Sequence, residues 1–254
     1  MTMNHEASEH LSPQQQAGET KSVYEQAGVA MTCRSYDEYL RMFSLPAELL
    51  EAGPILDVAA GASSFVAEAS RRGYPASAAD PLYAMTKDEI AEHGSREIHV
   101  STEKLGKLKH LFDWSYYGDL GRHRANREAS LERFSKDFSA RKEEGRYVSA
   151  MLPHLPYADG SFALVLCSHF LFLYQEQFDY EFHLRAVKEL YRVCRPGGEV
   201  RIYPVYSLKW ERYAELGRLM EALEVEGAEA DLLPSSLPFI PGSSELLRLR
   251  KPSV

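Results

Sequence analysis

The chain has 254 residues, enough for one well-buried domain with room for an insertion. Hydrophobic residues make up 44% and charged residues 26%, the balance of a globular protein rather than a disordered one. A formal net charge of −8 and three widely spaced cysteines, Cys33, Cys167 and Cys194, argue against nucleic-acid partners, a disulfide framework and a structural zinc.

Residues 1–20 are polar and read as a mobile tail. His5, Glu6, Glu9 and His10 bring metal-ligand types together there, but no metal centre is expected. No secretory apolar region opens the chain, and no apolar run reaches the roughly 18 residues that span a bilayer. A cytoplasmic location without a membrane partner is expected. Residues 22–50 read as helix in two pieces, and 21–53 as an N-terminal helical lid on a single domain over 21–254. The second piece opens with Ser35-Tyr36-Asp37-Glu38, a capping-box spacing. Pro46 starts another turn over Ala47–Glu51, and Gly53-Pro54 punctuates it.

Ile55-Leu56-Asp57-Val58 has the look of a buried parallel strand. It breaks at Ala59-Ala60-Gly61-Ala62 and restarts as a helix over 64–72, which Gly73 ends. A second run, Ala76 to Ala79, ends in Asp80, nineteen residues after Gly61. A tight small-residue turn followed by an acid at the tip of strand two is the opening of a nucleotide-type βαβ unit. Residues 83–146 are far longer than the ~2–6 residues of an ordinary βα connection. Apolar spacing at Leu105, Leu108, Leu111 and at Leu131, Phe134, Phe138 predicts a helical insertion or cap.

Strand signals return at 147–150 and 161–168. A helix follows over 182–193, a turn at Arg195-Pro196-Gly197-Gly198, a strand over 199–206 and a helix over 210–224. Residues 237–240 and 245–250 around Pro241-Gly242 read as a closing antiparallel hairpin. The alternation gives an α/β sheet with one antiparallel edge element.

A dinucleotide site needs G-x-G-x-x-G, and this turn offers Ala59, Gly61 and Ser64 at the equivalent places, which argues against NAD. The segments ILDVAAGAS, LPYADGSFALVLCSHFLFLY, ELYRVCRPGGEVRIY and LPFIPGSSELLRLRK, in that order, resemble the motifs of class I S-adenosylmethionine-dependent methyltransferases. The resemblance covers most of 54–80 and 147–250. It implies a Rossmann-like, seven-stranded, mostly parallel sheet with an antiparallel C-terminal hairpin, and S-adenosyl-L-methionine as cofactor. It also implies methyl transfer to a small molecule or a peptide natural product.

Ala59 and Ser63 stand where the family's first and third glycines do, and tolerate a side chain only if φ stays negative there. The family's adenine-contacting acid falls near Met151, leaving the backbone of Met151-Leu152 for the adenine edge. These departures leave open a second reading: a cofactor-binding regulatory or scaffold protein without turnover.

Asp80, with Pro81 behind it, is the expected ribose ligand, because a carboxylate accepts from both hydroxyls. By resemblance, Asp57 orients the turn and lies near the methionine amino group, with structural capping of the turn as the alternative. The resemblance also implies that the N-terminal segment with Tyr24, Arg34, Ser35 and Tyr36 folds over the cofactor, where Arg34 meets its carboxylate, with surface exposure as the alternative. Ser168 and His169 end the fourth strand at the ligand-binding edge of the sheet. His169 is the candidate general base, its ordinary pKa being near the operating pH, with pocket lining as the alternative. Trp114, Tyr116 and Tyr117 in the insertion are candidate substrate contacts, forming a lid with Arg122, His123 and Arg124, with local core as the alternative for the aromatics. The Asn/Asp-Pro-Pro-Tyr/Phe motif of amide and base amino methylation is absent.

Overall fold

The computed structural model describes residues 28–237 and 239–253. The polar tail, its histidines and acids, Tyr24 and the first expected helical piece up to residue 27 lie outside the described residues.

Ser35 and Glu38 cap helix α1, Tyr36–Met42, reciprocally: the Glu38 N–H donates to the Ser35 hydroxyl, and the Ser35 N–H to the Glu38 carboxylate. Tyr39 on its inner face stacks on Phe65 with ring centres 4.5 Å apart. A short helix, α2, Ala47–Glu51, leads into β1, Ile55–Val58, every residue of which is buried. Helix α3, Phe65–Arg71, and β2, Ala76–Ala79, complete the first unit. Two long helices then fill the connection to β3: α4, Lys87–Lys107, capped by Thr86, and α5, Leu120–Arg141, capped by Asp119. They touch where Gly94 lacks a side chain; a Cβ there would lie 2.8 Å from a Leu131 methyl.

Strand β3 is Tyr147–Val148 and β4 is Phe162–Ser168. Helix α6, Tyr180–Val193, is capped by Asp179 and runs directly into β5, Cys194–Tyr203. Helix α7, Leu216–Glu224, and strands β6, Glu229–Pro234, and β7, Glu245–Arg250, close the chain. The seven strands lie in the order β3-β2-β1-β4-β5-β7-β6. β1 pairs in parallel with β2 on one side and β4 on the other, and only the pairs of β7 with β5 and β6 are antiparallel. The strand order therefore reverses between β1 and β4, and the crevice at their carboxyl ends is where open α/β sheets bind ligands.

Three expectations need correction. The closing hairpin uses 229–234 rather than 237–240 as its first arm, paired Asp231 to Arg248. The run at 237–240 is apolar because Leu237, Phe239 and Ile240 turn inward and are buried. Helix α7 starts at Leu216 rather than 210, because Trp210 takes a left-handed φ of 62° and Ser207 N–H donates to Glu211 O in a turn. Residues 28–34 are not helical; the Thr32 and Arg34 carbonyls instead accept from Ala62 and Ser64 N–H in the turn after β1.

Candidate active site

The turn after β1 is held from two sides. Ala59 N–H donates to Ala79 O at the end of β2, and Ala62 N–H donates to Thr32 O. Gly61 has a φ of +57°, and a Cβ on it would stand 2.8 Å from the Thr32 carbonyl oxygen, so only glycine fits. Ala59 also takes a left-handed φ, 54°, against the expectation of a negative one. The turn keeps its glycine-like path, and the methyl group is carried in a disfavoured conformation. Ser63 follows the expectation of an ordinary φ, and its hydroxyl donates to Arg34 O at 3.0 Å.

Asp80 is 6% exposed. Its Oδ2 accepts from Gly61 N–H at 2.8 Å and its Oδ1 from Leu82 N–H at 2.9 Å. The acid expected to face a ribose thus also ties the tip of β2 to the glycine turn. Burial raises its pKa, and the two N–H groups act the other way. Each oxygen keeps a second lone pair for a ligand.

A cavity of about 510 Å³ opens at this point. Ala59, Gly61, Asp80, Pro81, Met151, Leu152, Ser168 and His169 all line it, together with the stacked rings of Phe178 and Phe182. Asp57 lies behind this wall. It has no exposed surface, and neither carboxylate oxygen has a hydrogen-bond partner. Burial lifts its pKa well above the usual range; the Tyr39 hydroxyl beside it, outside hydrogen-bond geometry, works against that.

A second cavity, of about 120 Å³, adjoins the first: Ala30, Met31, Thr32 and His169 line both. Arg34 belongs to this second cavity and not to the Asp80 cavity where it was expected. The reason is Glu38, one helical turn on and fully buried, which draws Arg34 Nη1 to its Oε1 at 3.0 Å. Both Glu38 oxygens accept from Arg127 Nη1 at 2.7 Å, and Glu38 also accepts from Asn126 Nδ2 at 2.9 Å and from the Tyr117 hydroxyl. Burial opposes ionisation of Glu38, but the Arg127 and Arg34 guanidiniums outweigh it and hold the carboxyl below its ordinary range.

Trp114, Tyr116 and Tyr117 line neither cavity. Tyr117 serves the Glu38 network and packs edge-on against His123 and Phe239, with Trp114 and Tyr116 around it. The insertion reaches the second cavity through residues that include Phe112, His123 and Arg127; the sequence had offered His123 as part of a lid and had passed over Arg127.

His169 sits at the carboxyl end of β4 with a left-handed φ of 51°, and its Nδ1 lies 2.8 Å from Ser168 Oγ. Burial, then the nearby Arg34 and Arg127, push its pKa well below the ordinary histidine value. This environment disfavours the imidazolium and runs against the expectation of a base titrating near the ordinary histidine value.

A methyltransferase-domain family profile matches residues 125–202, which run from α5 through β4 into β5. This segment of the chain is a methyltransferase domain. The uncharacterized protein MJ0045 of Methanocaldococcus jannaschii is 30% identical to this methyltransferase over 219 residues, covering 86% of this chain and 94% of that one. Two solved structures are similar at lower identity. A TehB-like SAM-dependent methyltransferase from Corynebacterium glutamicum is 16% identical, with 81% and 86% of the two chains covered and a TM-score of 0.44. A SAM-dependent methyltransferase from Methanosarcina mazei is 14% identical, with 82% and 97% covered and a TM-score of 0.45. The cofactor of this enzyme is S-adenosyl-L-methionine. Among the described residues, no helix is long and apolar enough to cross a membrane.

The residues at the switch point suit that cofactor. Asp80 lines the cavity without a cationic partner, whereas Asp57 lies behind the wall, fully buried and with neither oxygen hydrogen-bonded. A ligand that carries a ribose diol meets the lone pairs left on Asp80.

Proposed function

We propose that this methyltransferase acts in the cytoplasm on a small molecule or a small peptide natural product, and not on nucleic acid. The observation that carries the reading is the shared wall: residues 30–32 and His169 lie between a large cavity at the glycine turn and a smaller, mostly apolar one beside it. The first suits the cofactor and the second an acceptor.

In this reading Asp80 accepts from the ribose hydroxyls with its remaining lone pairs. Asp57, buried behind the wall, orients the glycine turn. Ala59, Gly61 and Pro81 shape the floor, Ser168 closes it, and the backbone of Met151 and Leu152 meets the adenine edge. S-adenosylmethionine supplies an electrophilic methyl group on a sulfonium. His169, held neutral, lines the passage and offers a lone pair or an N–H without charge. Such a site works by orientation and exclusion of water more than by proton transfer. Residues 21–53 and the insertion 83–146 act as the cap over it, with the cap's contribution made by Phe112, His123 and Arg127 rather than by Trp114, Tyr116 and Tyr117.

The test uses cofactor carrying a tritiated methyl group and a cell extract split into acid-soluble and acid-precipitable fractions. Label transferred to the acid-soluble, low-mass fraction is the expected result. Label confined to precipitated protein or nucleic acid would contradict the proposal.

A further inference from the structure

The second cavity carries polar groups that its apolar walls do not explain. Ile98, Leu105, Phe112, Leu173, Trp210 and Phe239 are among the apolar residues that line it. At one end stands His123, 3% exposed and stacked on Phe239. Its Nε2 lies 3.3 Å from Arg127 Nη2. A guanidinium has only donors, so Nε2 accepts and the ring proton sits on Nδ1. That Nδ1–H is buried and has no partner.

Arg34 beside it is 7% exposed. It spends Nη1 on Glu38 and Tyr117, while its buried Nε has no partner. Nε and Nη2 form the edge of the fork that takes a carboxylate through two parallel bonds. The charges do not balance either. Two buried guanidiniums, Arg34 and Arg127, share one carboxylate, Glu38, whose oxygens are already committed. Glu97 also lines the cavity, but forms no ion pair with either arginine.

We propose that this cavity binds the methyl acceptor, and that the acceptor is a small apolar acid whose carboxylate is held by the Arg34 Nε edge and the His123 Nδ1–H. The hydrocarbon or aromatic body lies against Phe112, Trp210 and Phe239, and the reacting group points to the wall shared with the cofactor cavity. This rests on the reading that the Asp80 cavity holds the cofactor. The other carboxylate within reach of the molecule is the cofactor's own, and the experiment separates the two.

Protein saturated with S-adenosylhomocysteine is titrated calorimetrically with benzoate and with benzyl alcohol as probes. Benzoate should bind at least tenfold more tightly than the alcohol. His123→Phe and Arg34→Gln should each lower benzoate affinity about tenfold or more, with S-adenosylhomocysteine affinity changed less than threefold. Equal binding of acid and alcohol, or no benzoate binding to the loaded protein, overturns the proposal. So does a loss of S-adenosylhomocysteine affinity in Arg34→Gln with benzoate affinity kept, which would give the fork to the cofactor. If either variant fails to fold, the acid-against-alcohol comparison on the native chain decides alone. Failure of S-adenosylhomocysteine itself to bind overturns the underlying cofactor reading, and is distinct from heat with that nucleoside and none with benzoate.

Discussion

Glu38 is the residue on which the N-terminal segment and the insertion meet. It has no exposed surface, and its partners come from α1 itself, from Tyr117 in the α4–α5 connection and from Asn126 and Arg127 on α5. Removing its charge leaves two buried guanidiniums without a counter-ion. Glu38→Gln should therefore destabilise the fold by about 3–5 kcal/mol, read as a fall in the urea midpoint; a loss under about 1 kcal/mol would argue that the network is solvated.

His123 gives a pH signature of known sign. Burial, with Arg127 and Arg34, lowers its pKa to about 2. Below about pH 6.5 the unfolded chain takes up a proton at this position and the folded chain does not, so acid favours unfolding. The native chain should lose about 2 kcal/mol more than His123→Asn between pH 7 and pH 5. A difference independent of pH would show that the imidazole protonates in place. His169 makes the same point in turnover: with its pKa held low, the rate should show no ionisation near the histidine range, and a single rising limb there would restore the base.

The decisive element is the turn between β1 and α3. Its two left-handed residues differ in kind. Gly61 is hemmed by Thr32, whereas Ala59 carries a side chain through the same conformation. The two substitutions should have opposite signs. Gly61→Ala adds strain of about 1–3 kcal/mol and a backbone clash, and should lower both stability and cofactor affinity. Ala59→Gly relieves strain and should be neutral or stabilising by up to about 1 kcal/mol. Thermal midpoints of the two variants check this, and equal destabilisation would contradict it.

Elements with an apolar period or a cap were legible beforehand. β1 and β4 are continuous buried runs, and α1 announces itself by Ser35 and Glu38. The closing hairpin was misplaced because Leu237, Phe239 and Ile240 are apolar for another reason. They pack inward against Tyr203 and the insertion rather than pairing as a strand.

At the scale of the molecule, the motif order, the sheet with its antiparallel close, and the approach of Asp80 to Gly61 could all be read from local sequence. The second cavity could not. Its charged wall joins Arg34, Glu38, His123 and Arg127, groups up to 89 residues apart in one hydrogen bond. On α5, a mostly polar helix, Arg127 looks like one more solvated charge until the fold buries it. Arg34 was misassigned for the same reason: nothing in its local sequence tells that Glu38 will be interior and will claim it.

The central claim is that the switch point between β1 and β4, built from Gly61 and Asp80, is a site for S-adenosylmethionine. Isothermal titration with S-adenosylhomocysteine and with NAD tests it directly, on the native chain and on Asp80→Asn, which keeps the shape of the side chain and removes its charge. The account predicts binding of the sulfur nucleoside and no binding of NAD, with Asp80→Asn weaker by roughly 1.5–3 kcal/mol, the scale of hydrogen bonds to a charged group. No heat with S-adenosylhomocysteine at millimolar concentration, or an affinity that Asp80→Asn leaves unchanged, would contradict it.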